Sequence, residues 1–388
     1  MEKNWVKMSD VLFFQEGPGV RNTQYTTSGV KLLNVANLVD GKVDLSTSTR
    51  YISEDEAYGK YKHFLCDAGD FVVASSGIKV EYIDKKMGFI EESMLPLCMN
   101  TSTIRFKVIN GDKLRIKYFM YYLKSQHFKE QLAKEITGSA QLNYGPSHLK
   151  KMILPLIDVS AQDEIIRCLD NIQKNIDMRR KELICFDELI RARFVEMFGD
   201  PISNPYRYDK VSLSELADIK IGPFGSLLHK EDYIEGGHAL LNPSHIVDGK
   251  ILPDDKLTIS DEKYEELSAY QLKTGDVVMG RRGEMGRCAV VPRDGFLCGT
   301  GSLLIRTKGE ITADYIQKII SFPSFKKSIE DMAVGQTMPN LNVPIVSRFQ
   351  IIKPPLEVQD RYYKFVAQVD KSKLQYHPHT HTCQPNTS

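Results

Sequence analysis

Hydrophobic positions along most of the chain come in short runs. Runs such as FVVA (71–74), VVMG (277–280) and LLIRT (303–307) are bounded by Gly, Asp and Pro, which is typical of short β-strands. Residues 312–332 instead carry the longer period of a helix, and a polar loop with glycine and another short strand follow. This alternation predicts mixed α/β domains built from short strands and a few helices.

Residues 160–198 have a different pattern. Ser160 is a suitable N-cap, acidic residues follow in the first turn, and apolar residues then recur mostly at spacings of four and three. The stripe consists of Ile165, Leu169, Ile172, Ile176, Leu183, Phe186, Ile190, Phe194 and Met197. Such a narrow stripe predicts a coiled-coil seam on a helix of about 39 residues, or ~58 Å. The alternative is a long helix that packs on its own domain.

The order of these motifs occurs twice, at a spacing of about 200 residues. The matching segments are Gly17-Pro18-Gly19 with GPFG (222–225), NLVDGKVD (37–44) with HIVDGKIL (245–252), LCMNTSTIRFK (97–107) with LCGTGSLLIRTK (297–308), 118–138 with 315–335, and 149–165 with 346–362. Each half is therefore predicted to be one domain followed by one helix, and we expect the halves to be related by a pseudo-twofold axis.

The second helix is predicted to be shorter than the first. It begins near Leu356, its seam continues through Tyr362, Val366 and Val369, and the apolar period ends near Leu374. The predicted boundaries are a first domain over 1–157, a central helix over 158–199, a second domain over 200–355, a second helix over 356–374 and a disordered tail over 375–388. The tail residues His377, His379, His381 and Cys383 are alternatively a metal-binding tract.

Composition excludes several classes of protein. The 388 residues are 42% hydrophobic and 26% charged, which is ordinary for a globular protein. We expect no signal peptide and no membrane span, because the N-terminus is polar and no apolar stretch reaches about 18 residues. The seven cysteines contain no C-x-x-C pair, which favours reduced thiols in the cytoplasm. A net charge of +1 leaves nucleic-acid binding open, because a local basic face is what matters.

Candidate chemistry lies at a loop that the two halves share. Gly69-Asp70 and Gly275-Asp276 each precede an apolar run, after which Ser75 and Ser76 stand in the first half and Arg281 and Arg282 in the second. The glycine spacing after residue 280 matches neither the P-loop nor the dinucleotide fingerprint.

Arginine can contact guanine or phosphate, and Gln or Asn can contact adenine. The further DNA-binding candidates are Lys79, Ser139, Gln141, Asn143, Lys230, Arg287, Gln336, Thr337 and Asn340. For each, the alternative is a surface loop or a helix-capping side chain.

Together these segments resemble a known family. The frame GPFGS…HIVDGKI…LKTGDVVMGRRGEMGR…GQTMPNLN…IIKPPLEVQ, with FDELIRARFVEMFGDPISNP at 186–205, resembles the specificity (S) subunit of type I restriction–modification systems over about residues 5–374. The resemblance implies an α+β protein with two target-recognition domains, each of which reads one part of a bipartite site in double-stranded DNA. It implies antiparallel coiled-coil helices that space the domains.

The same resemblance implies partners and the absence of catalysis. Methyltransferase (M) and restriction (R) subunits would dock on the chain, and S-adenosylmethionine, ATP and Mg²⁺ would bind to those partners and not to this chain. No Asn/Asp-Pro-Pro-aromatic run is present, since Asn204-Pro205-Tyr206 lacks the second proline. We therefore expect a non-catalytic subunit. With a short second helix, we also expect the section Ile165–Ile176 to lack its partner and the isolated chain to self-associate.

Two other classes of function remain as alternatives. Pro253-Asp254 followed by Asp261-Glu262-Lys263 has the residue types of a metal-dependent nuclease, although TISDEKYEELSAY has the pattern of a helix start. The other alternative is an adaptor protein that uses the helix stripe as a docking surface. Salt-dependent binding to a DNA duplex separates a DNA reader from an adaptor.

Overall fold

Short apolar runs form strands, and these strands pair within each half of the chain. The computed structural model describes residues 4–47, 49–136, 143–224, 227–332 and 340–376. Contacts divide the chain into a first unit, Met1–Asp177, and a second unit, Met178–Ser388. The division falls within a long helix.

The first unit contains the elements of one repeat. In chain order they are β1 (Asn4–Lys7), α1 (Met8–Val11), β2 (Leu12–Glu16), β3 (Val30–Leu33), β4 (Leu38–Val39), β5 (Lys42–Val43), β6 (Tyr51–Ile52), α2 (Glu54–Tyr58), β7 (Phe71–Ala74), β8 (Met87–Phe89), β9 (Leu97–Met99), β10 (Thr103–Val108), α3 (Ile116–Leu123), α4 (Gln126–Glu135), α5 (Pro146–Leu149), β11 (Ile153–Leu156) and the start of α6 (Val159–Phe198).

An antiparallel sheet of order β2-β10-β7-β8 forms the centre of the first unit. All four residues of β7 are buried, because both faces of this strand are covered. One face packs on the aromatic side chains of Phe119 and Phe128 from α3 and α4. The other faces the smaller sheet β6-β3-β9. The same strand therefore carries the core and ends at the candidate loop.

The second unit repeats this order. Its elements are the rest of α6, β12 (Lys210–Ser212), α7 (Leu213–Leu216), β13 (Ala217–Ile221), β14 (Tyr233–Ile234), β15 (His238–Leu241), β16 (Ile246–Val247), β17 (Lys250–Ile251), β18 (Thr258–Ile259), α8 (Asp261–Glu266), β19 (Gln271–Leu272), β20 (Val277–Gly280), β21 (Cys288–Val290), β22 (Phe296–Cys298), β23 (Ser302–Thr307), α9 (Ala313–Ile320), α10 (Pro323–Met332), α11 (Val343–Ser347), β24 (Gln350–Ile352) and α12 (Leu356–Tyr376).

Strand pairing confirms the internal repeat. The central sheet of the second unit has the order β13-β23-β20-β21, which matches β2-β10-β7-β8 element for element. The terminal pair β12-β24 likewise matches β1-β11. The units differ in the outer sheet, which has the order β6-β3-β9 in the first and β14-β18-β15-β22-β19 in the second. The duplicated sequence therefore specifies a duplicated α/β topology.

One expectation about the helices is wrong. The sequence pattern predicts a continuous helix over 312–332, whereas the structure has two helices, α9 and α10, that are broken at Ser321-Phe322. Pro323 is the first residue of α10, and proline favours that position because it lacks the N–H that would continue the preceding helix. In the first unit Ser125 produces the same break, since its Oγ accepts a hydrogen bond from the Phe128 amide at 3.3 Å.

Antiparallel contacts join α6 and α12 within the second unit. Tyr362, near the start of α12, packs edge-on against Phe194 and Phe198 near the end of α6. Lys373, near the end of α12, pairs with Asp187 of α6 at 2.7 Å. Later residues of one helix therefore meet earlier residues of the other, as the resemblance implies.

Side chains of the predicted seam differ in burial along α6 and α12. Ile190, Phe194, Tyr362 and Val369 are buried, whereas Leu183, Phe186, Met197 and Val366 are partly buried. In the first unit, Ile165, Ile172 and Ile176 are 38%, 49% and 42% exposed, and Leu169 is partly exposed. The core of the first unit is instead contacted by the adjacent Ile166.

A buried glutamine attaches each long helix to its domain. The Gln162 carboxamide accepts from the Arg115 amide at 2.8 Å and donates to the carbonyls of Lys113 and Ile157. Gln359 occupies the equivalent place, where it accepts from the Thr312 amide at 3.0 Å and donates to the Pro354 carbonyl at 2.9 Å. Both side chains are fully buried. These bonds satisfy backbone groups where strand, helix and loop meet.

Cysteines in the described ranges are free thiols. Burial raises the pKa of Cys66, Cys98, Cys288 and Cys298 to about 12. They therefore stay protonated at neutral pH and act as small core side chains. Of the helices in the described residues, none has the length and apolar content needed to cross a membrane.

Candidate nucleic-acid interface

Three chain segments meet at one end of the central sheet in the first unit. Ser75 follows β7, and its amide donates to the Ser102 carbonyl at 2.8 Å in the turn before β10. Its own carbonyl accepts from the Tyr144 amide at 3.0 Å. Ser76 donates from its Oγ to the Ser102 Oγ at 2.6 Å and forms a bridge with Asn143. The structure thus brings together the candidates Ser75, Ser76 and Asn143, of which Ser75 is buried, Ser76 is half-buried and Asn143 is exposed.

The second unit has the same arrangement with other side chains. The Arg281 amide donates to the Gly301 carbonyl at 2.9 Å, and the Arg281 carbonyl accepts from the Leu341 amide at 3.0 Å. These bonds correspond one to one with those of Ser75. Arg281, Arg282 and Asn340 therefore occupy the end of the sheet that Ser75, Ser76 and Asn143 occupy in the first unit. We call this surface the strand-end edge of each unit.

Glycine is required where a further segment enters the strand-end edge. A Cβ on Gly17 would lie 2.0 Å from the Asn100 carbonyl oxygen, and one on Gly222 would lie 2.0 Å from the Gly299 carbonyl oxygen. The amides of the two glycines donate to the carbonyls of Thr103 and Ser302. Glycine in the Gly-Pro motif of each repeat therefore lets the end of β2 or β13 approach its neighbour closely.

The two arginines have different surroundings. Arg281 is partly buried and donates from its Nε to the Leu341 carbonyl at 2.9 Å. Burial, and then the neighbouring charge of Arg282, lower the pKa of Arg281 from its usual value. Arg282 is exposed, and no acidic side chain pairs with it in the part of the chain that the structure describes. Arg281 thus orders the loop and Arg282 presents a free guanidinium group.

Asn340 also has an unsatisfied polar group. Its Oδ1 atom is buried without a hydrogen-bond partner among the described residues. A buried unpaired amide oxygen is unusual in a folded domain. Asn340 precedes Leu341, whose amide donates to the Arg281 carbonyl, so this unpaired oxygen lies next to the loop that carries the two arginines.

Arg287 is held by protein groups away from the loop tip. Its Nη2 bonds to the Glu284 carboxylate at 3.0 Å, and its Nη1 donates to the Pro243 carbonyl at 3.1 Å. Lys326 pairs with the same carboxylate at 2.7 Å, and both cations lower the pKa of Glu284. Arg287 therefore has a structural role in this arrangement, and its contact with DNA remains a prediction.

The remaining candidates are two exposed lysines and four residues outside the described ranges. Lys79 is exposed just before a short 3-10 helix over Val80–Lys85, and Lys230 is exposed at the start of a similar turn over Lys230–Asp232. Ser139, Gln141, Gln336 and Thr337 lie outside the described residues, as do the tail histidines His377, His379 and His381.

Sequence reasoning did not assign a role to the shared Gly-Asp motif. Asp276 is buried and receives two hydrogen bonds from the Arg306 guanidinium, at 2.8 and 2.7 Å, and one from the Lys273 amide. Asp70 accepts one hydrogen bond from the Arg105 guanidinium, at 3.3 Å, and one from the Asp67 amide at 2.9 Å. The sequence contained a signal for this role, because the pair Asp70 and Arg105 recurs in the second half as Asp276 and Arg306. The motif holds the turn before β7 and β20, at the end opposite to the strand-end edge.

The residues of the nuclease alternative have other partners. Asp254 accepts a hydrogen bond from the Lys256 amide, and Lys263 pairs with Glu266 at 3.1 Å. Asp261 and Glu262 lie in the first turn of α8 and not on a core strand. Across the described ranges, no group of three or more His, Cys, Asp or Glu side chains is arranged to hold a metal.

Comparisons with known proteins agree with the repeat. A family model described as "Type I restriction modification DNA specificity domain" matches residues 21–184 and again 205–379. The chain is 26% identical over 181 residues to the type I restriction enzyme MjaVIII specificity subunit of Methanocaldococcus jannaschii. That match covers 46% of this chain and spans 41% of the length of the relative.

Solved structures show a similar fold. A type I restriction–modification S subunit from M. genitalium matches with a TM-score of 0.53 at 16% identity, over 96% of this chain and 91% of the other. A structure on complex assembly and conformational transition of the type I restriction–modification system matches with a TM-score of 0.59 at 16% identity, over 96% and 90%. The family model covers well over half of the residues. The chain therefore belongs to the family of type I restriction–modification DNA specificity proteins and carries the specificity domain twice.

Proposed function

We propose that this chain is the DNA specificity subunit of a type I restriction–modification complex, in which each unit reads one part of a bipartite DNA site. One observation carries the proposal. The strand-end edge has the same backbone hydrogen bonds in both units, but the residues after the strand differ. They are the buried Ser75 and the half-buried Ser76 in one unit, and the half-buried Arg281 and the exposed Arg282 in the other. A constant frame with different polar tips is what two readers of different base sequences require.

The proposed role is recognition without catalysis. Methyltransferase and restriction subunits are the expected partners on this proposal, and S-adenosylmethionine, ATP and Mg²⁺ are expected on those partners. A complex that acts on chromosomal DNA would work in the cytoplasm. The relatives' names support this assignment, since they are specificity and S subunits of type I systems.

A methylation map tests the proposal directly. The full chain is co-expressed with type I methyltransferase subunits, and methylated adenines are located across the host genome. We expect one motif with two defined parts and an undefined spacer. Methyltransferase subunits expressed without the chain are the control and should leave that motif unmethylated. A complex that assembles but methylates no bipartite motif contradicts the proposal.

Salt dependence tests the adaptor alternative. A DNA reader that neutralises several phosphates loses affinity steeply with salt, whereas an adaptor has no affinity for the duplex to lose. Binding of a labelled duplex to the assembled complex is measured between 50 and 200 mM salt, a range over which 6–10 phosphate contacts cost roughly 10³- to 10⁵-fold in affinity. The absence of duplex binding at low salt favours the adaptor.

A further inference from the structure

The strand-end edge of the first unit contains a carboxylate that the second unit lacks. Glu16 is the last residue of β2 and pairs with Ile104 of β10. In the second unit the last residue of β13 is Ile221, which pairs with Leu303 of β23. Equivalent register makes Glu16 and Ile221 equivalent positions. The first unit therefore has a glutamate at the position where the second unit has an isoleucine.

Folding does not explain this acid. Glu16 follows Leu12 and Phe14 at intervals of two residues, so it continues the row that faces the core, and it is only partly exposed. In the described part of the chain no lysine or arginine pairs with its carboxylate. A partly buried carboxylate without a cation costs free energy, whereas isoleucine at the same position does not.

The groups around the Glu16 carboxylate do not use all of its capacity to accept hydrogen bonds. Its Oε1 accepts a long hydrogen bond of 3.4 Å from the Ser75 Oγ. Its Oε2 lies 3.2 Å from the point where a Cβ on residue 145 would stand, and that residue is glycine. The hydroxyl of the adjacent Tyr144 is buried and has no hydrogen-bond partner among the described residues. Glu16 thus has acceptor capacity to spare at the strand-end edge, between the buried Ser75 and the more exposed Ser76 and Asn143.

Charge limits what this carboxylate can contact on DNA. Phosphates repel it, so it cannot be a backbone contact. In the major groove, guanine and thymine present acceptor oxygens, which also repel it. Adenine presents an amino group next to the N7 acceptor, whereas cytosine presents its N4 amino group without a neighbouring acceptor. Cytosine is therefore the base that a carboxylate selects.

We propose that Glu16 is a specificity-determining residue of the first unit and accepts a hydrogen bond from the N4 amino group of a cytosine in the major groove. This inference rests on the proposed function. The strand-end edges of the two units then carry opposite charges. Glu16 in the first unit suits cytosine, whereas Arg282 in the second unit suits guanine O6 and N7.

The Glu16→Gln variant tests the inference in the full chain, co-expressed with methyltransferase subunits. The amide has the same shape but loses the charge and presents a donor as well. We expect the preference for cytosine to fall roughly tenfold or more at one position of one half-site. The other half-site should be unchanged, which also shows that the variant folds and assembles.

Two further variants make the result specific. Glu16→Ile, which introduces the residue of the second unit, should relax the same position. Glu92→Gln removes the same charge from an exposed residue near the opposite end of β7 and should leave the motif as in the wild type. An unchanged motif in Glu16→Gln overturns the inference, and so does the loss of both half-sites in Glu16→Gln and Glu16→Ile, which would make the carboxylate a folding requirement.

Modified duplexes identify the groove. Inosine opposite the selected cytosine removes the guanine amino group from the minor groove and leaves cytosine N4 in place. Binding of the assembled wild-type complex should be unchanged by inosine. A loss of binding that is absent in the Glu16→Gln variant assigns Glu16 to the minor groove and overturns the cytosine contact. If the wild-type complex yields no bipartite motif, the proposed function itself fails, which is a separate result from an unchanged Glu16 variant.

Discussion

Side chains at equivalent positions of the two units make different contacts. Ser75 and Arg281 make the same backbone hydrogen bonds, but Arg281 adds a side-chain bond to the Leu341 carbonyl. Arg282 makes no ion pair within the described residues and points its charge to solvent. Mutation should therefore separate Arg281, which orders the loop, from Arg282, for which we predict contact with DNA.

Arg282→Ala should weaken DNA binding and leave stability unchanged. If Arg282 contacts a base, the loss is ~1–3 kcal/mol and falls at one position of the half-site read by the second unit. If it contacts a phosphate, all sequences weaken alike and the salt slope falls by ~1. Duplex binding and thermal unfolding of the variant are the measurements. Arg361→Ala on α12 is the matched exposed control. Unchanged binding would make Arg282 an ordinary surface residue.

Gln359→Leu should destabilise the second unit. Leucine has a similar size but leaves the Thr312 amide and the Pro354 carbonyl without their buried partner. Each unsatisfied buried group costs about 1–3 kcal/mol, so the melting temperature should fall by several degrees. Differential scanning calorimetry measures the change. The exposed Gln368→Leu on the same helix serves as the control, and equal melting temperatures for both variants would exclude the anchoring role.

At the scale of elements, α6 is one continuous helix with two environments. Its end packs against α12 through Ile190, Phe194 and Tyr362. Its first half leaves Ile165, Ile172 and Ile176 between 38% and 49% exposed. The apolar stripe therefore continues beyond the section that α12 covers. An exposed aliphatic stripe on a helix favours association with another apolar surface.

Replacing Ile172 and Ile176 with glutamine should reduce self-association of the isolated chain. Burial of each isoleucine is worth ~1.5–3 kcal/mol, so the wild-type chain gains by covering the stripe. Analytical ultracentrifugation of both forms at several concentrations measures the difference. Ile109→Gln, at a position that is 59% exposed in the first unit, is the control for added polarity. A wild-type chain that sediments as a monomer at all concentrations would contradict the prediction.

At the scale of the whole molecule, the duplication gives the proposed recognition function two separate parts. Each unit has its own central sheet, its own cores and its own strand-end edge. The outer sheets differ between the units, which shows that this architecture accepts different side chains and strands around a constant frame.

Exchange of residues 208–350 for the same region of a relative should change one half of the methylated motif. The other half should persist, because its reader lies in the first unit. Genome-wide mapping of methylated adenines with the same methyltransferase subunits gives the answer. The control for expression is a gene in which the codons of residues 208–350 are replaced by synonymous codons, so that the protein sequence is unchanged. A change in both half-sites would show that the units do not read DNA independently.

Much of the fold was predictable because it rests on local periodicity and repetition. The alternating short runs, the four-three stripe of α6 and the recurrence of Gly-Asp and Gly-Pro motifs each report a local constraint on the backbone. The break between α9 and α10 was missed because Pro323 opens a second helix in place of ending the first. The candidate loops Ser75-Ser76 and Arg281-Arg282 were found because a duplicated frame exposes the positions that differ.

Sequence alone thus determined the repeat, its family resemblance and the candidate tips, since these follow from the order of residues. Tertiary structure decided which side chains meet. It separated Arg281 from Arg282, held Arg287 in an ion-pair cluster, and brought Glu16 and Asn143, which are distant along the chain, to one sheet end. These outcomes depend on strand register and on hydrogen bonds between distant segments, which no local pattern encodes.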